Sequence, residues 1–305
     1  MPVTLRQLLL FIRLSRPIFL LGGALLYGLG GAIARYLGRP IDLTTYLLGQ
    51  GAVTFIQLMT HYLNEYFDSE LDRNNRTRTI FTGGSDVLGT DGLPRSTALY
   101  AAAFSLALVA CMVLLLIVNT EVPFLGWMIL ILIFLGAFFY NMPPLSLMTS
   151  GFGEITSSFV VAGLLPAFAY ALQTGELHRF LIMSSTPLIA LHFAMLIVFE
   201  LPDYALDTKY EKRNLLVRAG WSIAMRLHDY AIVFAVVSFV IAFFLGLPGR
   251  VVGGTLIAVP LAIAQIWQMD RIRQGYPVKW RTIIYGAVAL SVLTTYFELI
   301  GFLMS

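Results

Sequence analysis

Nine long apolar runs constrain this chain more than any other feature. They lie at roughly 17–37, 43–67, 96–118, 123–141, 154–174, 180–201, 223–246, 251–270 and 281–303. A helix needs about 20 mostly apolar residues to cross a bilayer. In hydrocarbon its backbone polar groups must be satisfied internally. Composition points the same way. Only 12% of the residues are charged and 58% are hydrophobic, against about 25% charged in soluble domains. The expected fold is all-α: a polytopic membrane protein, a bundle of nine transmembrane helices, forming one integral membrane domain over residues 1–305.

Charge sets the expected orientation. Sixteen of the 20 Lys and Arg residues fall on the N-terminal side of a nine-span topology. The positive-inside rule then puts the N-terminus in the cytoplasm and the C-terminus outside. The basic residues belong to loops between apolar runs, so the net charge of +3 says little about nucleic acid, and no nucleic-acid partner is expected. Residues 4–15 mix Arg6 and Arg13 with Leu8, Leu9, Phe11 and Ile12. They read as an amphipathic helix on the membrane surface, not a cleaved signal peptide. With no transit-peptide pattern, the expected location is the cell membrane. Cys111 is the one cysteine, which excludes an intrachain disulfide or thiolate cluster. Pro166, Pro187 and Pro260 fall inside spans and are expected to kink them.

The chemistry concentrates at two sites. Asn64, Asp68 and Asp72 close the second apolar run at four-residue spacing, and Arg73, Arg76 and Arg78 follow. On a helix that spacing stacks three oxygen-bearing side chains on one face. Asp203 and Asp207 close the sixth run, followed by Lys209, Lys212 and Arg213. Oxygen ligands beside bases suit a Mg²⁺-bridged phosphate ligand. A solvated helix end is the ordinary alternative for one such cluster; two favour the metal reading. At an offset of 135, Glu65 pairs with Glu200, Asp68 with Asp203, Asp72 with Asp207 and Arg78 with Arg213, which suggests an internal duplication. Glu65 and Glu70 are expected to point away from the Asn64–Asp72 face, Glu70 as a solvated charge.

Other residues carry two readings each. Positive-inside topology alone accounts for Arg76, Arg78, Lys209, Lys212 and Arg213; phosphate contact is the alternative, with Arg78 and Lys209 the first candidates. Tyr140 and Asn141 close the fourth run, as an interfacial belt or as groups near a developing cation or an acceptor. Glu154 favours a helix start. The four histidines have no partners at metal-ligand spacing. Residues 68–95, rich in Gly, Ser and Thr, and 203–222 are long enough to cap the cytoplasmic mouth.

These motifs resemble the UbiA superfamily of intramembrane prenyltransferases. Asn64, Asp68 and Asp72 fit its N-x-x-x-D-x-x-x-D motif, and Asp203 and Asp207 fit its D-x-x-x-D motif. TGGSDVL (82–88), FYNMPPLSLMTSGFGE (139–154) and DYALDTKYEKRNLLVRAG (203–220) resemble the MenA branch, which prenylates 1,4-dihydroxy-2-naphthoate. Two departures stand out. Phe199, Glu200 and Pro202 replace the polar residues usual before the second motif, and no base follows Tyr140 until Arg179.

The resemblance implies a bundle around a central cavity. It implies Mg²⁺ held by Asn64, Asp68, Asp72, Asp203 and Asp207, and an isoprenyl diphosphate donor bound by Asn64, Arg76, Arg78, Lys209, Lys212, Arg213 and Asn141. Asp68, Asp203 and Tyr140 would serve the chemistry. The acceptor would be aromatic or a lipid, within membrane lipid, in menaquinone biosynthesis on the MenA reading. No obligatory protein partner is inferred. Another quinone precursor, a glycerol-phosphate lipid, a tetrapyrrole or terpene cyclisation are alternatives within the superfamily. A transporter is the alternative of another class, though its acids would be expected near the bilayer midplane.

Overall fold

The computed structural model describes residues 4–72, 78–89 and 92–305. Helix α1 (Leu5–Leu14) opens with a capping box between Thr4 and Gln7. It leaves Leu5, Leu9 and Ile12 exposed while Leu14 is fully buried. One apolar stripe with no protein cover is the pattern of a helix lying at a membrane surface. Its other side packs on the bundle, where Phe11 stacks against Tyr62. Arg16, in a left-handed conformation, turns the chain into α2 (Pro17–Tyr36).

Helix α3 (Leu43–Asp72) follows, then α4 (Arg95–Asn119) and α5 (Phe124–Asn141). The next apolar run is a composite of α6 (Gly153–Ser158), a π-helical turn (Phe159–Leu164) and α7 (Leu165–Thr174). Helix α8 (Arg179–Glu200) leads into the short helices α9 (Tyr204–Lys209) and α10 (Leu215–Ala219). Then come α11 (Trp221–Phe244), α12 (Gly249–Thr255), α13 (Val259–Arg273) and α14 (Trp280–Leu303). Among the described residues there is no strand, only one bridge between Leu88 and Leu93.

Two of the three prolines inside spans sit where the helix type changes. Pro166 and Pro260 each open a new helix after a π-helical or 3-10 turn. A proline lacks the N–H that would continue the preceding turn, so the ladder breaks there. Helix α8 carries Pro187 without interruption.

Among the described residues, eight helical segments are long and apolar enough to cross a membrane, where nine were expected. The expected second span is α3, which is 30 residues long. At 1.5 Å per residue it reaches about 45 Å. Its Gln57, His61 and Asn64 line an interior cavity, and such inward polar groups dilute its apolar character. Elsewhere the outer faces are apolar: Phe104, Ile131 and Phe244 are all exposed.

The long helices pack in pairs: α3 on α4, α2 on α7, α8 on α11, and α14 on α2, α8 and α12. Close approach depends on small residues. A Cβ at Gly30 of α2 would lie 2.0 Å from the Pro166 carbonyl oxygen, so only glycine lets α2 and α7 meet there. The cavity lies between these pairs, with walls from α2, α3, α5, α6, α8 and α14.

Candidate active site

The cavity has a volume of about 340 Å³. Its two ends differ in chemistry. Leu26, Ile56, Ile133 and Leu165 wall one part of it. At the other end the last turns of α3 and the segment that runs from the end of α8 through α9 bring the two acidic motifs to one cavity.

Four-residue spacing on α3 puts Asn64, Asp68 and Asp72 on the cavity wall, and Asp203 and Asp207 line the same cavity. Asn64 Nδ2 donates to Asp68 Oδ2 at 3.3 Å. Lys212 Nζ donates to the same oxygen at 3.2 Å. Asn214, which caps α10 by accepting from the Val217 N–H, donates to Asp207 Oδ2 at 2.7 Å. Burial alone would push the Lys212 ammonium down. The carboxylates of Asp68, Asp207 and Glu200 outweigh that and hold it above the usual lysine range.

The remaining expected residues are placed as follows. Tyr140 lines the cavity, near Glu200, Glu154, Lys212 and Asp68. Arg78 does not line it. Its guanidinium donates to the carbonyls of Gly83 and Asp72, at 2.6 and 2.5 Å, and pairs with Asp86. Asn141 is buried outside the cavity wall and donates to the Thr60 carbonyl. Lys209 and Arg213 are exposed and do not line the cavity. Arg76 lies outside the described residues.

Several cavity residues were given no site role from the sequence. Arg16 lines the wall and forms an ion pair with Glu65, whose carboxylate also accepts from the Ser85 N–H and hydroxyl. Glu65 does not share the cavity wall with Asn64, Asp68 and Asp72, and it is buried. Glu70 pairs with Arg95 at 3.3 Å, a largely exposed contact. Phe19, Phe81 and Phe199 group their rings at the wall, with centroids 6.0–6.3 Å apart. Glu154, beyond favouring a helix start, is 3% exposed and accepts from the Leu215 N–H at 2.9 Å. Glu200 also lines the cavity. A carboxyl inside the apolar run LIVFELP was the available signal, because such groups are costly and functional by default. His61 and His192 line the cavity, each held through Nδ1, to the Ser15 carbonyl and the Ser158 hydroxyl.

The donor set fits a hard divalent cation. Asp207 Oδ1 is buried with no hydrogen-bond partner, and the other groups of both motifs are oxygen donors. Among the described residues no three His, Cys, Asp or Glu side chains converge closely enough to hold a metal alone. Mg²⁺ is usually held by one or two carboxylates plus phosphate oxygens, so a phosphate ligand would have to complete such a site.

Comparison with known proteins follows this geometry. A digeranylgeranylglyceryl phosphate synthase of Archaeoglobus fulgidus is 38% identical over 78 residues, which is 25% of this chain and 27% of that protein. The chain therefore matches only about a quarter of that relative's length. A 1,4-dihydroxy-2-naphthoate octaprenyltransferase of Bacillus subtilis is 22% identical over 279 residues, covering 90% of this chain and 78% of that one. The fold is similar to that of a UbiA homologue from Archaeoglobus fulgidus, solved bound to GPP and Mg²⁺. The two share a TM-score of 0.65 at 16% identity, over 97% of this chain and 100% of the other. The UbiA prenyltransferase family profile matches residues 24–291. This all-helical, multi-pass chain, with two acidic motifs on one internal cavity, belongs to the UbiA prenyltransferase family of enzymes.

Proposed function

We propose that the chain transfers an isoprenyl group from an allylic polyprenyl diphosphate to an aromatic acceptor, 1,4-dihydroxy-2-naphthoate being the leading candidate, within menaquinone biosynthesis. The observation that carries this reading is the cavity's polarity. Five oxygen-donor residues of the two motifs and a buried ammonium stand at one end, and aliphatic walls at the other. A diphosphate ester with a hydrocarbon tail has the same polarity.

Asn64, Asp68, Asp72, Asp203 and Asp207 are the residues that would hold Mg²⁺ with the donor. When bound, it offsets charge building on the departing diphosphate. Lys212, charged at any working pH, supplies a point charge to the same oxygens. Leu26, Ile56, Ile133 and Leu165 take up the isoprenoid tail. The rings of Phe19, Phe81 and Phe199, with Tyr140, offer π-faces to the developing allylic cation and exclude water that would quench it. Phe81 to Gly84, together with Lys212 and Asn214, line the cavity, which supports a capping role for the segments that carry them.

In this reading residues 1–305 form one domain in the cell membrane. Helix α3 is the ninth span, the N-terminus and both capping segments are cytoplasmic, and the C-terminus is outside. A glycerol-phosphate acceptor would bring a second phosphate. The two bases lining the cavity among the described residues, Arg16 and Lys212, are already paired with Glu65 and Asp68, which favours an acceptor without one. The test supplies labelled geranylgeranyl diphosphate and Mg²⁺ with 1,4-dihydroxy-2-naphthoate, a prenylated glycerol phosphate and a tetrapyrrole in parallel. Prenylated naphthoate is the expected product. Product from another acceptor alone overturns the naphthoate assignment.

A further inference from the structure

Two carboxyl groups of the cavity have no part in the donor site just described. Glu154, from the first turn of α6, and Glu200, the last residue of α8, both line the cavity. Each has one buried oxygen, Oε2, with no hydrogen-bond partner. The two carboxyls share this cavity wall with Tyr140 and Lys212, close enough to act on one another electrostatically. Two neighbouring carboxylate anions repel, and a hydrogen-bond donor or a proton brought to the pair relieves that repulsion.

Several other polar groups at this end are engaged. Asp68 accepts from Lys212 and Asn64, Asp207 accepts from Asn214, and His192 is held to Ser158. Glu154 Oε1 is fixed by the Leu215 N–H, which leaves Oε2 of this 3% exposed side chain as the free face. Among the described residues no third carboxyl or imidazole converges with them as a metal set. What the pair lacks is a hydrogen-bond donor, and a hydroxyl supplies one.

We propose that the Glu154–Glu200 pair is the acceptor subsite: it takes a hydrogen bond from the acceptor's hydroxyl and receives the proton that hydroxyl loses. This rests on the prenyl-transfer reading and adds to it the chemistry by which the acceptor is recognised. The allylic C–O bond breaks and its electron pair leaves with diphosphate. The deprotonated acceptor forms the new bond to the allylic carbon at oxygen, or at a ring carbon that the oxygen makes electron-rich; in the second case the hydrogen that carbon carried leaves as a proton and returns to the oxygen as aromaticity is restored. The hydroxyl proton stays on the carboxyl pair until it passes to water. No oxidant or reductant is required. A phenol and the free alcohol of a glycerol phosphate share this hydroxyl chemistry, and the two acceptors in the test distinguish them.

The experiment compares wild type with Glu200→Gln and Glu154→Gln, purified with Mg²⁺ and labelled geranylgeranyl diphosphate. 1,4-Dihydroxy-2-naphthoate and a prenylated glycerol phosphate serve as separate acceptors. Both substitutions are expected to lower kcat for transfer by on the order of 100-fold, the scale of a general base. KM for the acceptor should rise, donor binding should stay within about twofold, and Glu200→Asp should restore part of the rate. If Glu154→Gln fails to fold because its contact with Leu215 weakens, Glu200→Gln carries the test alone. Unchanged transfer in Glu200→Gln overturns the inference, and so does a matching loss of donor binding. Wild type that consumes no donor with either acceptor overturns the transfer reading itself.

Discussion

Asp68 and Asp203 come from different motifs on one cavity, and each is expected to be indispensable. Asp68→Ala or Asp203→Ala should abolish turnover while the purified protein keeps its melting temperature within a few degrees; full activity in either variant contradicts the assignment. Lys212 carries a separate prediction. Its single charge-assisted contact is worth about 1.5–3 kcal/mol, so Lys212→Gln should weaken donor binding by roughly 10- to 100-fold with little change in acceptor KM. The acidic stripes were legible in the sequence because four-residue spacing declares a helical face. Glu154 and Glu200 were not, because a lone carboxyl in an apolar run has no periodic partner to reveal it. The offset of 135 did align Glu65 with Glu200, but only Glu200 lines the cavity; Glu65 is buried against Arg16. Arg78 shows the opposite case: the bases near a motif outnumber those that reach its cavity, and its guanidinium ties backbone carbonyls together.

At the scale of elements, the segment 78–89 is pinned to the bundle through one buried carboxylate. Glu65 joins Arg16, at the α1–α2 turn, to Ser85. Removing one partner of a buried ion pair costs about 3–5 kcal/mol. Glu65→Gln should therefore lower stability measurably and speed amide exchange in 79–89, with smaller changes in α4 and α11. Uniform exchange across the chain would contradict the pinning role. Gly84 gives a second prediction. It has a φ of +73°, and an added Cβ would lie 2.1 Å from Asp72 Oδ2. Gly84→Ala should displace the Asp72 carboxylate and reduce Mg²⁺-dependent turnover more than it reduces stability. The helix limits themselves were legible to within a few residues, since apolar runs end where charge begins. The breaks before Pro166 and Pro260 were readable only as kinks, because the missing proline N–H does not specify whether a π-helical or 3-10 turn results.

For the whole molecule, composition announced a multi-pass bundle, and α3 explains the difference between nine apolar runs and eight clearly apolar spans. A helix that lines a polar cavity spends its hydrophobicity on one side only. The topology can be read chemically in a Cys111→Ala background. Glu176→Cys should react with an impermeant maleimide added outside intact cells, and Lys209→Cys only after permeabilisation; the reverse pattern inverts the orientation. The most direct test of the central claim is release of diphosphate from labelled geranylgeranyl diphosphate by the purified protein in lipid, with a hydroxylated acceptor, measured with Mg²⁺ and again after its chelation. Release that requires Mg²⁺ and is absent in Asp68→Ala and Asp203→Ala is the predicted result. Release that survives chelation, or that persists in both variants, would contradict it.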